Sequence, residues 1–106
     1  MPKYLFEASY SAAGAGGVLK GGGTARRDAI EKLTSGLGGS MEAFYFAFGG
    51  ADVYVIVDVP DEAAAAAVSM TVNASGAVRL KTIPLLEPAQ IDEAAGRSVD
   101  YRPPGS

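Results

Sequence analysis

The sequence predicts a single α+β domain with its main elements in the order β-α-β-β-α-β. Three observations lead there. Residues 41–59 are rich in aromatic and β-branched residues and are broken only at Gly49-Gly50, as a hairpin would be. Two helical patterns, one around Ile30 and Leu33 and one through the alanines at 63–67, separate this pair from single strand-like runs near each end. A chain of 106 residues, 48% of them hydrophobic, builds one core of ordinary size and excludes a second domain. The domain is expected to span residues 1–98, followed by a tail at 99–106.

The first strand is read at residues 2–10, where Tyr4, Phe6, Ala8 and Tyr10 alternate with Lys3, Leu5, Glu7 and Ser9. The glycines between Gly14 and Gly23 then break regular structure, leaving Val18-Leu19 as the apolar anchor of a flexible connector. Thr24 can cap a helix that runs to about Leu37 and ends at Gly38-Gly39. Residues 41–48 and 51–59 form the hairpin strands, and Pro60-Asp61 stops the second. Asp61 suits the N-cap of the alanine-rich helix, which carries Val68 and Val72 and closes at Ser75-Gly76. Residues 78–86 make the fourth strand. Pro88 opens a short helix with Ile91, Ala94 and Ala95 on one face, and an extended tail follows.

Right-handed crossovers place the strands in the spatial order 4-1-3-2, antiparallel throughout, with both main helices on one face of a ferredoxin-like sheet. The other face stays open. In the third strand Val53, Val55, Val57 and Val59 take the helix side, leaving Asp52, Tyr54, Ile56 and Asp58 outside. In the second, Phe44, Phe46 and Phe48 take the helix side and Tyr45 and Ala47 the other. Four strands offer an open face of roughly 500 Å², about the largest apolar patch a monomer shows. With Leu5 and Ile56 on it, this face is expected to pack against another copy, giving a homo-oligomer that is at least a dimer.

Composition removes many chemistries. Cys and His are both absent, so disulfides, thiolate nucleophiles, imidazole bases and metal sites needing N or S ligands are excluded, and only oxygen-ligand metals stay open. No metal or cofactor is expected. A net charge of -3 with scattered cations argues against a nucleic-acid partner. No run approaches the ~20 apolar residues of a membrane helix. Met1-Pro2-Lys3 leads straight into a strand with no secretory leader pattern, so the expected location is cytoplasmic.

The candidate sites are polar and few. The glycine segment does not meet the phosphate-loop pattern, because Lys20 is followed by Gly21, although Gly21 to Gly23 precede a helix N-terminus that can attract an anion. Arg26 begins the stripe Arg26, Ile30, Leu33 and Leu37, where it needs an anion: a carboxylate of the same or a neighbouring subunit, or an anionic ligand. Arg27 with Glu31 and Asp28 with Lys32 have the spacing of solvent-exposed helix pairs. On the open face, Glu7 lies between the strand carrying Arg79 and Lys81 and the one carrying Tyr54 and Asp58. These groups either form an ion-pair and tyrosine network that sets how two sheets dock, or line a pocket with Tyr45 for a neutral or anionic small molecule. The function read from them is small-molecule binding or a structural subunit role. The alternative is a cofactor-free enzyme, oxygenase- or isomerase-like, with Glu7 or Asp58 as base and Lys81 or Arg79 stabilising an enolate-like charge. Asp52, Tyr101 and Arg102 are candidate anion or inter-subunit contacts, with Tyr101 filling a neighbour's pocket and Arg102 meeting a carboxylate; the alternative for the tail is a frayed terminus.

The run Phe46-Ala-Phe-Gly-Gly-Ala-Asp-Val-Tyr-Val-Ile-Val-Asp-Val-Pro-Asp61, the alanine-rich helix and Gly76-Ala-Val-Arg-Leu-Lys-Thr82 together resemble the GYD domain family over most of the chain. The name-giving Gly-Tyr-Asp falls on Gly50-Ala51-Asp52, with Ala in place of the aromatic. The resemblance implies a dimeric α+β barrel, in which the sheets of two subunits face one another. It implies no particular activity.

Overall fold

Alternation in the first residues produces β1 (Lys3–Tyr10) in the computed structural model, which describes residues 1–105. Tyr4, Phe6 and Ala8 are buried, while Leu5, Glu7 and Ser9 on the other face are half-buried. The elements continue as α1 (Ala12–Gly21), α2 (Gly23–Gly36), β2 (Ser40–Phe46), β3 (Val53–Asp58), α3 (Glu62–Ala74), β4 (Val78–Leu85) and α4 (Pro88–Ala95). The strands form one sheet in the order β2-β3-β1-β4, every pairing antiparallel. This is the expected ferredoxin-like order. Among the described residues no helix is long and apolar enough to cross a membrane.

The core lies on one side of the sheet. Val53, Val57 and Val59 are its most deeply buried side chains, joined by Val55, Tyr4, Phe6, Ala8 and Val78, and closed by Ala65 and Val68 of α3 and Ile30 of α2. Each fully buried valine of this kind contributes about 1.5–3 kcal/mol. The small side chains of the alanine run let α3 approach closely, and Asp61 caps it as expected, its Oδ1 accepting from the Ala64 N–H at 2.8 Å.

The glycine segment departs from its sequence reading. Residues 12–21 are helical despite Gly14, Gly16, Gly17 and Gly21, each of which costs a helix interior about 0.8–1 kcal/mol relative to alanine. Tertiary contacts compensate. Ser11 caps the helix by accepting from the Gly14 N–H at 3.1 Å, while its own N–H and hydroxyl both donate to the Ala77 carbonyl. Gly14 has to be glycine, because a Cβ there would overlap that same carbonyl oxygen. The connector is therefore a docked helix, and α2 starts from Gly22, not from a Thr24 cap.

Two smaller departures share one cause, the end of the hairpin. β2 stops at Phe46 and β3 starts at Val53, so Gly49-Gly50 sits in a longer loop instead of a tight turn. Phe48 falls in this loop and is fully exposed, not packed on the helix side. On α2 the buried stripe is rotated towards Thr34, 2% exposed, while Leu33 and Leu37 stay about a third exposed. The Thr34 hydroxyl donates to the Ile30 carbonyl at 2.8 Å, which satisfies it without water.

Candidate functional site

Register builds the open face row by row. Tyr45 of β2 stands opposite Tyr54 of β3, Tyr54 opposite Glu7 of β1, and Glu7 opposite Lys81 of β4, a polar row running across the whole sheet. The next row in the direction of the strands is apolar: Ala43, Ile56, Leu5 and Ile83. Beyond it lie Asp58, Lys3 and Leu85. On the other side of the polar row, Arg79 stands opposite Ser9. The period-2 alternation that buries Phe6, Ala8, Val53 and Val55 is what turns Glu7, Tyr54 and their neighbours outward.

Four of the six open-face candidates thus lie together. Glu7, Tyr54, Arg79 and Lys81, with Ser9, Gly50 and Ala51, surround a depression of about 190 Å³. Tyr45 is beside it across the β2–β3 pairing and is 71% exposed. Among the described residues, neither Glu7 nor the two cations has an ion-pair partner within 4.0 Å, so all three charges remain available to a ligand or another chain.

Asp58 is elsewhere. It lies opposite Lys3, four residues and about 13 Å along β1 from Glu7. Lys3 Nζ donates to Asp58 Oδ2 at 2.9 Å and to Glu42 Oε2 at 2.8 Å. A register shift between Met41 and Ala43 leaves Glu42 outside the regular β2–β3 pairing. The hydrogen bonds to Glu42 and then Asp58 raise the Lys3 pKa above its ordinary value. The stability this cluster supplies through Lys3 is complete below the ordinary lysine pKa and is lost only as pH climbs towards the raised one. The local signal for this cluster is the alternation that sets Lys3 on the open side with Leu5 and Glu7, which does not by itself show its partners.

Asp52 has a backbone partner. Its Oδ2 accepts from the Tyr10 N–H at 2.8 Å, its N–H donates to Ala8, and its carbonyl accepts from Ala47. The carboxylate continues the β1–β3 ladder past the end of β3, in the place where a main-chain carbonyl would serve. Arg26 lies with its guanidinium carbon 5.8 Å from the centre of the Tyr10 ring. Its Nε is buried without a hydrogen-bond partner, and the expected carboxylate does not come from its own described residues. Arg27 does pair with Glu31, at 3.3 Å, whereas Asp28 meets Arg27 and not Lys32. Tyr101 and Arg102 are exposed in the tail, whose last residue, Ser106, lies outside the described residues. Among the described residues no three acidic side chains are grouped to hold a metal ion.

A family model of the GYD domain matches residues 4–95. The chain belongs to the GYD domain family. In this GYD domain the name-giving positions divide their work: Gly50 lines the depression, Ala51 is buried, and Asp52 ties β3 to β1. No curated protein and no solved structure gives a significant match to the chain.

Proposed function

We propose that this GYD domain is a homo-oligomer, at least a dimer, in which open sheet faces meet and enclose a site for a neutral or anionic small molecule. The observation that carries this reading is the sorting of the open face into adjoining rows. Ala43, Ile56, Leu5 and Ile83 provide an apolar strip for a second copy, and Tyr45, Tyr54, Glu7 and Lys81 provide a polar strip beside the 190 Å³ depression. A face of one kind would pack or dissolve; a face of two kinds can pack and still leave oriented polar groups inside. The tyrosines supply ring surface with a hydroxyl, Glu7 accepts hydrogen bonds, and Lys81 with Arg79 supplies the charge that an acidic ligand needs.

A small aromatic carboxylate is a suitable probe. In a benzoate titration followed by amide chemical shifts, Glu7, Tyr54 and Lys81 are expected to respond first. Lys81→Ala and Arg79→Ala are each expected to weaken binding roughly tenfold, the ordinary worth of a hydrogen bond to a charged group. Unchanged affinity in both variants would place the ligand elsewhere.

A further inference from the structure

The C-terminal arm is built like a structure that has lost its support. Helix α4 is well started, with Pro88 in its first turn and Glu87 and Gln90 in a reciprocal capping arrangement, yet none of its residues is buried. Eight residues do not hold a helix in water by themselves. The whole stretch from Glu87 to Gly105 is exposed, including Ile91 at 52%, Val99 at 78% and Tyr101 at 70%. The radius of gyration is 16.8 Å, where a compact domain of this length has about 13 Å. The arm reaches away from the body, and its helix and exposed apolar side chains call for a surface outside it.

A surface of the right kind lies on the helix side. Between α1 and α2 runs a groove of about 430 Å³, lined by Gly14, Gly17, Gly21 and Ala25 together with Tyr10 and Arg26. Gly17 and Gly21 face open space, so an extended peptide can lie against bare backbone there. Arg26, half-buried, lines this groove, and among the described residues no carboxylate lies within ion-pair distance of it. The arm has the complement: Asp100, also without an ion-pair partner among the described residues, between the exposed Val99 and Tyr101. The arm of the same chain sets off from the wrong end, because β4 runs from Val78, opposite Tyr10, to Leu85, opposite Lys3.

We infer that the arm of one copy docks in the α1–α2 groove of a second copy, Asp100 pairing with the second copy's Arg26 and Val99 and Tyr101 lying against the glycine-lined wall. Of the eleven residues after α4, the six from Gly96 to Tyr101 extend about 19 Å at the spacing of a polyproline chain, and Pro103-Pro104 beyond them favour that conformation. The inference rests on the self-association proposed above but not on which faces meet. It also accounts for an arginine placed unfavourably near a helix N-terminus: its anion arrives from another chain.

The test is a set of masses in solution, read as dissociation constants by sedimentation. The full chain should associate, and removing every residue after Ser98 should weaken association roughly tenfold or more. Asp100→Arg and Arg26→Asp should each do the same, and the two together should recover most of the loss. Hydrogen exchange on the unaltered chain should show protection at residues 99–101 that disappears on dilution, a readout that needs no variant to fold. An associating chain indifferent to the truncation and to Asp100→Arg overturns the arm alone. A truncation effect without recovery in the double variant overturns the Asp100–Arg26 seating. A monomeric full chain overturns the arm and the dimer together.

Discussion

Ile56→Asp is expected to dissociate the proposed dimer while leaving the fold in place. Ile56 stands in the middle of the apolar row, with Leu5 on one side and Ala43 on the other. Its neighbours Val55 and Val57 point into the core, so a change at Ile56 leaves the layer that holds the domain together untouched. In a face-to-face dimer the new carboxylate is buried without a partner, which costs several kcal/mol, and a two-fold interface meets the cost from both copies. Sedimentation at micromolar concentration should then give a monomer with unaltered far-ultraviolet circular dichroism. Its melting temperature should fall too, since dissociation removes the stabilisation that association lends. An assembly that survives the substitution would show that the interface lies on another face.

Gly39→Ala should produce a large loss of stability for a small chemical change. Gly39 lies between the end of α2 and the first residue of β2, against β3. A Cβ there would overlap the carbonyl oxygen of Asp58 and press on the Thr34 methyl, and neither neighbour is a flexible side-chain end. Asp58 stands opposite Ser40 in the β2–β3 pairing, so moving it disturbs the hairpin and the Lys3 cluster together. Overpacking of this kind costs about 1–3 kcal/mol, a large share of the stability of a domain this size. Urea unfolding should show the midpoint lowered with the slope unchanged. A midpoint equal to that of the parent chain would mean that α2 and β3 are not in this contact.

How much of this the sequence carries depends on the range of the interaction. The row Val53, Val55, Val57 and Val59 is legible because period 2 is a local property, and the same alternation correctly turned Tyr54 and Ile56 outward. The pairing of Tyr45 with Tyr54 is legible for a related reason. The loop between β2 and β3 is longer than a two-residue turn but symmetric about Gly49-Gly50, so it keeps the same register. Lys3 opposite Asp58 is not legible in this way, because β1 and β3 are joined through two helices and a strand, and nothing local counts their register. That one pairing separates Asp58 from Glu7. Helix α1 escaped for the opposite reason: its glycines argue locally against a helix, and only the distant carbonyl of Ala77 shows what Ser11 and Gly14 are for. Asp52 looked like an open-face acid until the Tyr10 N–H beside it gave it a backbone role.

Native mass spectrometry of the protein taken from its own source tests the central proposal most directly, because it weighs the assembly and anything held inside it at once. The account predicts a dimer or larger assembly carrying one small neutral or acidic molecule per site, released when the assembly is driven apart. A bare monomer at micromolar concentration would contradict it.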